Sequence, residues 1–140
     1  MILMKISIVG SQENKWEPEQ KFVAKDIIRQ IIMDAWHKYE EDLIIVSGHC
    51  PYGGVDIWVE DIVKIYNLIG YHGIIMQIHS PEVRQWLDKD GKIGYKTRNM
   101  KIAESDILYD IEPKGKRSGG TWTMEYAKQL GKEIHLIEVE

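Results

Sequence analysis

Nearly continuous apolar runs that alternate with stretches of helical period leave few folds open to this chain. The runs are Met1–Val9, Leu43–Val46, Ile74–Ile78, Ile107–Ile111 and Ile134–Val139. Each is short and rich in apolar or β-branched residues, so each predicts a strand. Between the first two, Val23, Ile27, Ile31 and Ala35 recur every four residues. Ile28, Ile32, Trp36 and Tyr39 lie beside them, which predicts one long helix over 19–39. Val55–Ile69 repeats the pattern, with Val55, Val59, Ile62, Val63 and Tyr66 inward, and Gly70 and Gly73 mark its end. Tyr95–Ala103 and Thr121–Leu130 supply two shorter helices. Glu82–Gly94 is polar and receives no regular structure, and Glu112–Gly120 has the composition of an exposed loop. Strands that alternate with helices pair in parallel through right-handed crossovers. Strands apolar on both sides are covered on both faces. The expected architecture is a single-domain, three-layer, Rossmann-like α/β open sheet over 1–140. It has about five mainly parallel strands, with helices on both faces.

Composition narrows the function classes. The chain has 140 residues, 44% hydrophobic and 29% charged, which suits one soluble domain and excludes a disordered or fibrous chain. No apolar run reaches the ~18 residues of a membrane span. The N-terminus reads as a strand and not as a signal peptide, so a cytoplasmic protein without membrane association is expected. The single cysteine, Cys50, rules out an internal disulfide. With 18 Lys+Arg against 22 Asp+Glu, the formal charge is −4, so nucleic acid is not an expected partner.

Ligands of such sheets bind outside the carboxyl ends of the strands. Seven of the twelve glycines fall in the loops there: Gly10, Gly48, Gly53, Gly54, Gly115, Gly119 and Gly120. They permit sharp turns or the close approach of a ligand, although strand-to-helix turns use glycine on their own account. In Ser118-Gly119-Gly120-Thr121-Trp122-Thr123-Met124-Glu125, two glycines and two threonines open a helix directly after a strand and loop. Free amides and the positive dipole end make such a start an anion site. Thr121 and Thr123 could add hydroxyl donors, and Lys116 and Arg117 charge. Thr121 as a plain N-cap is compatible with this. Gly10-Ser11 and Ser47-Gly48 lie side by side across the sheet and suit a sugar or base. Asp56 opens the second helix, where it either holds the loop or accepts from a ribose hydroxyl. Arg98, early in the third helix, is a candidate phosphate clamp or a solvated arginine. The segment is neither a Walker loop nor the dinucleotide fingerprint. His49 and Cys50 lack spaced ligand partners, so no metal is expected, and no cofactor either. Trp36 and Trp58 read as packing groups. Trp86 and Trp122 flank the site loops, where they stack on a base or pack within the protein.

Four segments, in order, carry a family resemblance. They are Ile6–Ser11, Ile44–Gly48 with Gly53–Asp56, Arg98-Asn99 with Ala103–Asp106, and Ser118–Thr121 running into Glu125–Ala127. Together they resemble the SLOG superfamily, the Rossmann-like domains of Smf/DprA and Lonely Guy proteins. Within it they are most similar to the small stand-alone YspA/YpsA-related proteins. The resemblance covers essentially the whole chain. It implies a pocket for a nucleotide or nucleotide-derived ligand, and self-association into a dimer or larger homo-oligomer. Lonely Guy enzymes hydrolyse the N-glycosidic bond of nucleoside monophosphates with a Gly-Gly-x-Gly-Thr-x-x-Glu motif and a helical arginine. Here Gly119, Gly120, Thr121 and Arg98 match that pattern. Glu125 falls four residues after Thr121 instead of three, a turn of about 100° around a helix.

The expected function is therefore binding of a small nucleotide-like ligand. Its phosphate sits at Gly119–Thr121, with Gly10, Ser11, Ser47, Gly48, Asp56, Arg98 and Thr123 around it. The alternative is a phosphoribohydrolase with Glu125 and Arg98 as catalytic residues.

Overall fold

Side chains alternate across a strand, and burial in this chain follows that alternation on two faces at once. The computed structural model describes residues 3–140, and the first two residues of the predicted first strand lie outside them. The strands are β1 (Met4–Gly10), β2 (Leu43–Ser47), β3 (Ile75–Ile78), β4 (Ile107–Pro113) and β5 (Glu133–Val139). The α-helices are α1 (Pro18–Tyr39), α2 (Val55–Ile69), α3 (Tyr95–Ala103) and α4 (Gly119–Gln129). Ile6 and Ile8 of β1, Leu43 and Ile45 of β2 and Ile111 of β4 join one core with Ala24, Ile28 and Ile32 of α1 and Val59 and Val63 of α2. Their alternates Val9, Ile44, Val46 and Leu108 join a second core with Ile102 and Ala103 of α3 and Met124 and Ala127 of α4. The three-layer expectation is thus met, with α1 and α2 on one face and α3 and α4 on the other.

All neighbouring strands are parallel, in the order β3-β2-β1-β4-β5. The chain winds outward from β1 to β3, returns across the sheet, then winds the other way. Constant crossover handedness places the two helix pairs on opposite faces. A crevice opens where the winding reverses, at the carboxyl ends of β1 and β4.

Two boundaries differ from expectation, and both matter for the site. β4 extends through Glu112 and Pro113, which are buried, so the exposed loop begins only at Lys114. Helix α4 starts at Gly119, and its N-cap is Ser118 rather than Thr121. The Ser118 hydroxyl accepts the Gly120 amide at 3.1 Å.

The polar stretch before α3 is ordered without being helix or strand. The amides of Glu82 and Val83 donate to the Ile93 carbonyl, at 2.7 and 3.1 Å. The Tyr95 and Lys96 amides donate to the carbonyls of Gln85 and Trp86, both at 2.9 Å. The Asp88 carboxylate accepts from the Gly94 amide and the Thr97 hydroxyl, both at 2.8 Å. Those donors, the backbone amide first, draw the Asp88 carboxyl below its ordinary value. The result is a flap folded back on the start of α3.

The crevice requires a bare backbone at Gly10. A Cβ there would lie 2.1 Å from the Ile111 carbonyl oxygen and 2.6 Å from Val55 Cγ2. Neither backbone nor a fully buried valine can give way. Gly10→Ala is therefore expected to lose about 2–4 kcal/mol of stability, within the range of overpacked cores and strained sites. Urea unfolding measures this, and a loss below about 0.5 kcal/mol would show that the close contact is absent.

Candidate ligand-binding site

A cleft of about 600 Å³ occupies the crevice. Its floor is Val9, Gly10, Asn99 and Ile102, and one wall is Ser118, Gly119 and Gly120 of the α4 start. The loop after β2 contributes Cys50, Pro51 and Tyr52, the flap Arg84 and Trp86, and α3 Tyr95 and Arg98. Lys15 and Arg117 complete the rim.

Of the residues singled out in the sequence, Gly10, Asp56, Arg98, Gly119 and Gly120 line this cleft. Cys50, Trp86 and Arg117 line it as well, whereas Ser11, Ser47, Gly48, Thr121, Thr123 and Glu125 do not. The Ser11 side chain is fully buried, and its hydroxyl donates to Glu112. The Ser47 hydroxyl donates to Glu60 at 2.8 Å. The Gly48 carbonyl accepts from the Arg98 guanidinium. The Thr123 hydroxyl donates back to the Gly119 carbonyl at 3.2 Å within α4, and so faces no ligand. Thr121 Oγ1 is buried without a hydrogen-bond partner and outside the lining. Glu125 is exposed and does not line the cleft.

Arg98 and Asp56 order the loop after β2. Arg98 Nε donates to Asn99 Oδ1 at 2.8 Å. Asp56 Oδ2 accepts from the Cys50 amide at 3.1 Å. Burial raises the Asp56 carboxyl to about 6, and the Arg98 charge opposes this. Burial also raises the Cys50 thiol, which removes thiolate character at neutral pH. A Cβ on Gly48 would sit 2.7 Å from the Arg98 guanidinium and 3.0 Å from Asp56 Oδ2, so a larger residue there would displace the arginine.

The most unusual group lies just beneath α4. Leu108, Asp110 and Glu112 alternate onto the face that α4 covers. Asp110 is fully buried and Glu112 is 1% exposed. Glu112 accepts from the hydroxyls of Ser11 and Ser118, the latter at 2.6 Å. Neither Asp110 oxygen receives a hydrogen bond. Burial, then the hydrogen bond to Glu112 and its charge, push the Asp110 carboxyl well above the ordinary carboxylate range. A protonated Asp110 would donate to Glu112, which would answer its lack of a partner among the described residues. A Gly120 Cβ would lie 2.6 Å from Asp110 Oδ1 and 3.0 Å from Glu112 Oε1. The second glycine of the pair is therefore bare to make room for the protein's own carboxyls. The sequence signal was two acids at i and i+2 inside an apolar run.

The fold and the crevice define a Rossmann-like domain with its site at the reversal point of a parallel sheet. No protein-family model matches the chain, and no curated protein sequence matches it either. Solved structures do. A molybdenum cofactor carrier protein from Chlamydomonas reinhardtii superposes with a TM-score of 0.62 at 18% identity, covering 96% of this chain and 75% of that one. A second structure of the Chlamydomonas carrier gives 0.56 at 15% identity, covering 96% and 75%. DNA processing protein A from Helicobacter pylori, described for its single-stranded DNA binding, gives 0.54 at 15% identity. That match covers 96% of this chain and 65% of the Helicobacter protein. At these identities the likeness is one of fold alone, a parallel Rossmann-like α/β sheet.

The Asp110 proton has a thermodynamic consequence. An unfolded aspartate releases its proton near its ordinary value of 3.8, whereas folded Asp110 retains it above that. The folded state then binds more protons, so stability falls as pH rises above about 4 until folded Asp110 also deprotonates. One proton contributes a slope of about 1.4 kcal/mol per pH unit. Asp110→Asn is expected to flatten this dependence by that amount between pH 5 and 8. Parallel stability profiles for the two proteins would show that Asp110 is ionised in the folded state.

Proposed function

We propose that the chain binds a nucleotide or nucleotide-derived ligand in this cleft, with a phosphate at the first turn of α4. The observation that carries the reading is the state of that turn. The Gly119 amide opens the helix with no acceptor among the described residues, and the space beside its Cα is empty. Arg117 borders the same opening. A free amide, a helix dipole and a guanidinium together recognise a phosphate. Gly10 and Arg98 on the floor border the sugar. Tyr52, Trp86 and Tyr95 offer flat surfaces to a base. The motifs shared with YspA/YpsA-related proteins support the same cleft. So does the description of one structural neighbour as a carrier of a small cofactor.

Hydrolysis of the ligand is not part of this reading. Glu125, the carboxylate expected to act at the sugar, stands outside the cleft, and the one carboxylate that lines it, Asp56, accepts from the Cys50 amide. The fold places Glu125 outside because the extra residue after Thr121 turns it around α4. A cytoplasmic setting and self-association remain parts of the proposal. The exposed apolar residues Leu68, Ile69, Ile75 and Ile78, on α2 and the edge strand β3, would carry the self-association. No helix among the described residues is long and apolar enough to cross a membrane.

Gly119→Glu tests the phosphate position without threatening the fold. The site has room for the side chain, and a carboxylate in the first turn favours the helix. The variant is expected to bind inorganic phosphate and nucleoside monophosphates at least tenfold more weakly in calorimetry, about 1.4 kcal/mol. Equal affinity in wild type and variant would remove the phosphate from α4.

A further inference from the structure

One phosphate at α4 leaves much of the positive charge in the cleft unanswered. The chain as a whole is acidic, at −4. The cleft nevertheless brings Lys15, Arg84, Arg98 and Arg117 together against a single lining carboxylate, Asp56. Arg98 is engaged with Gly48 and Asn99 and opposes the Asp56 charge. Among the described residues, Lys15, Arg84 and Arg117 have no carboxylate within 4 Å. Nearby Glu13 is paired with Lys21, at 3.1 Å.

These three cations come from separate segments. Lys15 follows β1, Arg117 precedes α4, and the flap carries Arg84. The Lys116 ammonium donates to the Lys15 carbonyl at 2.9 Å, which joins the first two segments along one rim. Arg84 stands on the other side, its guanidinium 5.9 Å from the ring of Tyr52 in the loop after β2. β2 and β4 are two strands apart in the sheet, about 10 Å at the usual strand spacing. A single phosphate on α4 does not span that distance. Like charges held in one concavity repel each other, and a ligand with several anionic groups relieves the repulsion.

We infer that the cleft takes a nucleotide bearing at least two consecutive phosphoryl groups. The first lies on Gly119 and Arg117, and the rest of the chain runs toward Arg84. The flap sets this preference, because its backbone hydrogen bonds to α3 hold Arg84 and Trp86 over the crevice. The inference rests on the phosphate site proposed at α4.

Because the base is unidentified, the probes are inorganic phosphate, pyrophosphate and tripolyphosphate, titrated calorimetrically at fixed ionic strength. Tripolyphosphate is expected to bind at least tenfold tighter than phosphate. Arg84→Ala and Lys15→Ala should each cut that ratio by threefold or more. Lys132→Ala, at the opposite end of the sheet, should keep the wild-type ratio. Equal affinities for phosphate and tripolyphosphate would overturn the inference and leave the α4 site standing. No binding of any of the three would overturn both. If oligo(dT) bound more tightly than tripolyphosphate, with an affinity falling steeply with salt, a polynucleotide would replace the small ligand.

Discussion

The pairing of β1 on both edges is the constraint on which the rest of the structure depends. β1 is hydrogen-bonded in parallel to β2 on one side and β4 on the other. The chain can reach those two neighbours only by winding in opposite directions, and the helices then part to opposite faces. No helix crosses the carboxyl end of β1, so the backbone there lies open. Gly10 keeps it thin enough for Ile111 and Val55 to close beneath it. The Ser11 carbonyl then ties the neighbouring elements together. It accepts from the Trp16 indole at 3.0 Å and from the Val55 amide at 3.2 Å. Trp16 packs edge-on against Trp58 of α2 beneath this point, with ring centroids 5.4 Å apart. The cleft is a gap in the winding, floored by a well-packed core.

The start of α4 is shared between the protein and its proposed ligand. Glu112 sits beneath it and holds Ser118, the residue that caps the helix. A helix start attracts negative charge, and here part of that attraction is already satisfied from below. A proton retained on Asp110 would keep the buried pair from adding a second charge. A ligand phosphate therefore finds a partly neutralised dipole and depends more on the cations of the rim. This gives a physical reason for the rim to be basic although the chain is acidic.

Much of the fold was legible because strands and helices announce themselves through different periods. The predicted α2 and α3 match the observed elements, and the remaining boundaries differ by a few residues. The exceptions have causes. β4 runs past Ile111 because Glu112 is buried and hydrogen-bonded, and acidic residues at a strand end read as loop. Ser118 displaces Thr121 as the cap, since both are good capping residues and only the path of the chain decides between them. At the site, the glycine-rich helix start was visible, but the purpose of its second glycine was not. Gly120 is small for the sake of Asp110 and Glu112, and this contact spans residues far enough apart that no local spacing signals it. Ser11 and Ser47 looked like ligand contacts because they stand at strand ends. Each hydroxyl instead turns to a carboxylate of the protein, the buried Glu112 for Ser11 and the partly buried Glu60 for Ser47.

The flap shows why whole-chain charge is a poor guide to the cleft. An excess of acidic residues argues against a nucleic-acid surface when the charges are spread evenly. Here the sheet gathers cations from three loops that lie far apart in sequence, while Asp56 is the single carboxylate that lines the cleft. Arg84 belongs to a stretch with no periodicity, and its place is set by backbone hydrogen bonds to the start of α3. Asp88 secures that arrangement by holding Gly94 and Thr97. Gly94 must be bare for the fold-back to close, since a Cβ would lie 2.6 Å from the Leu87 carbonyl. In the proposed reading, ligand preference resides in the irregular segment, whereas the regular elements supply the opening. The same sheet and the same α4 start could serve differently charged ligands if the flap carried other residues at positions 84 and 86.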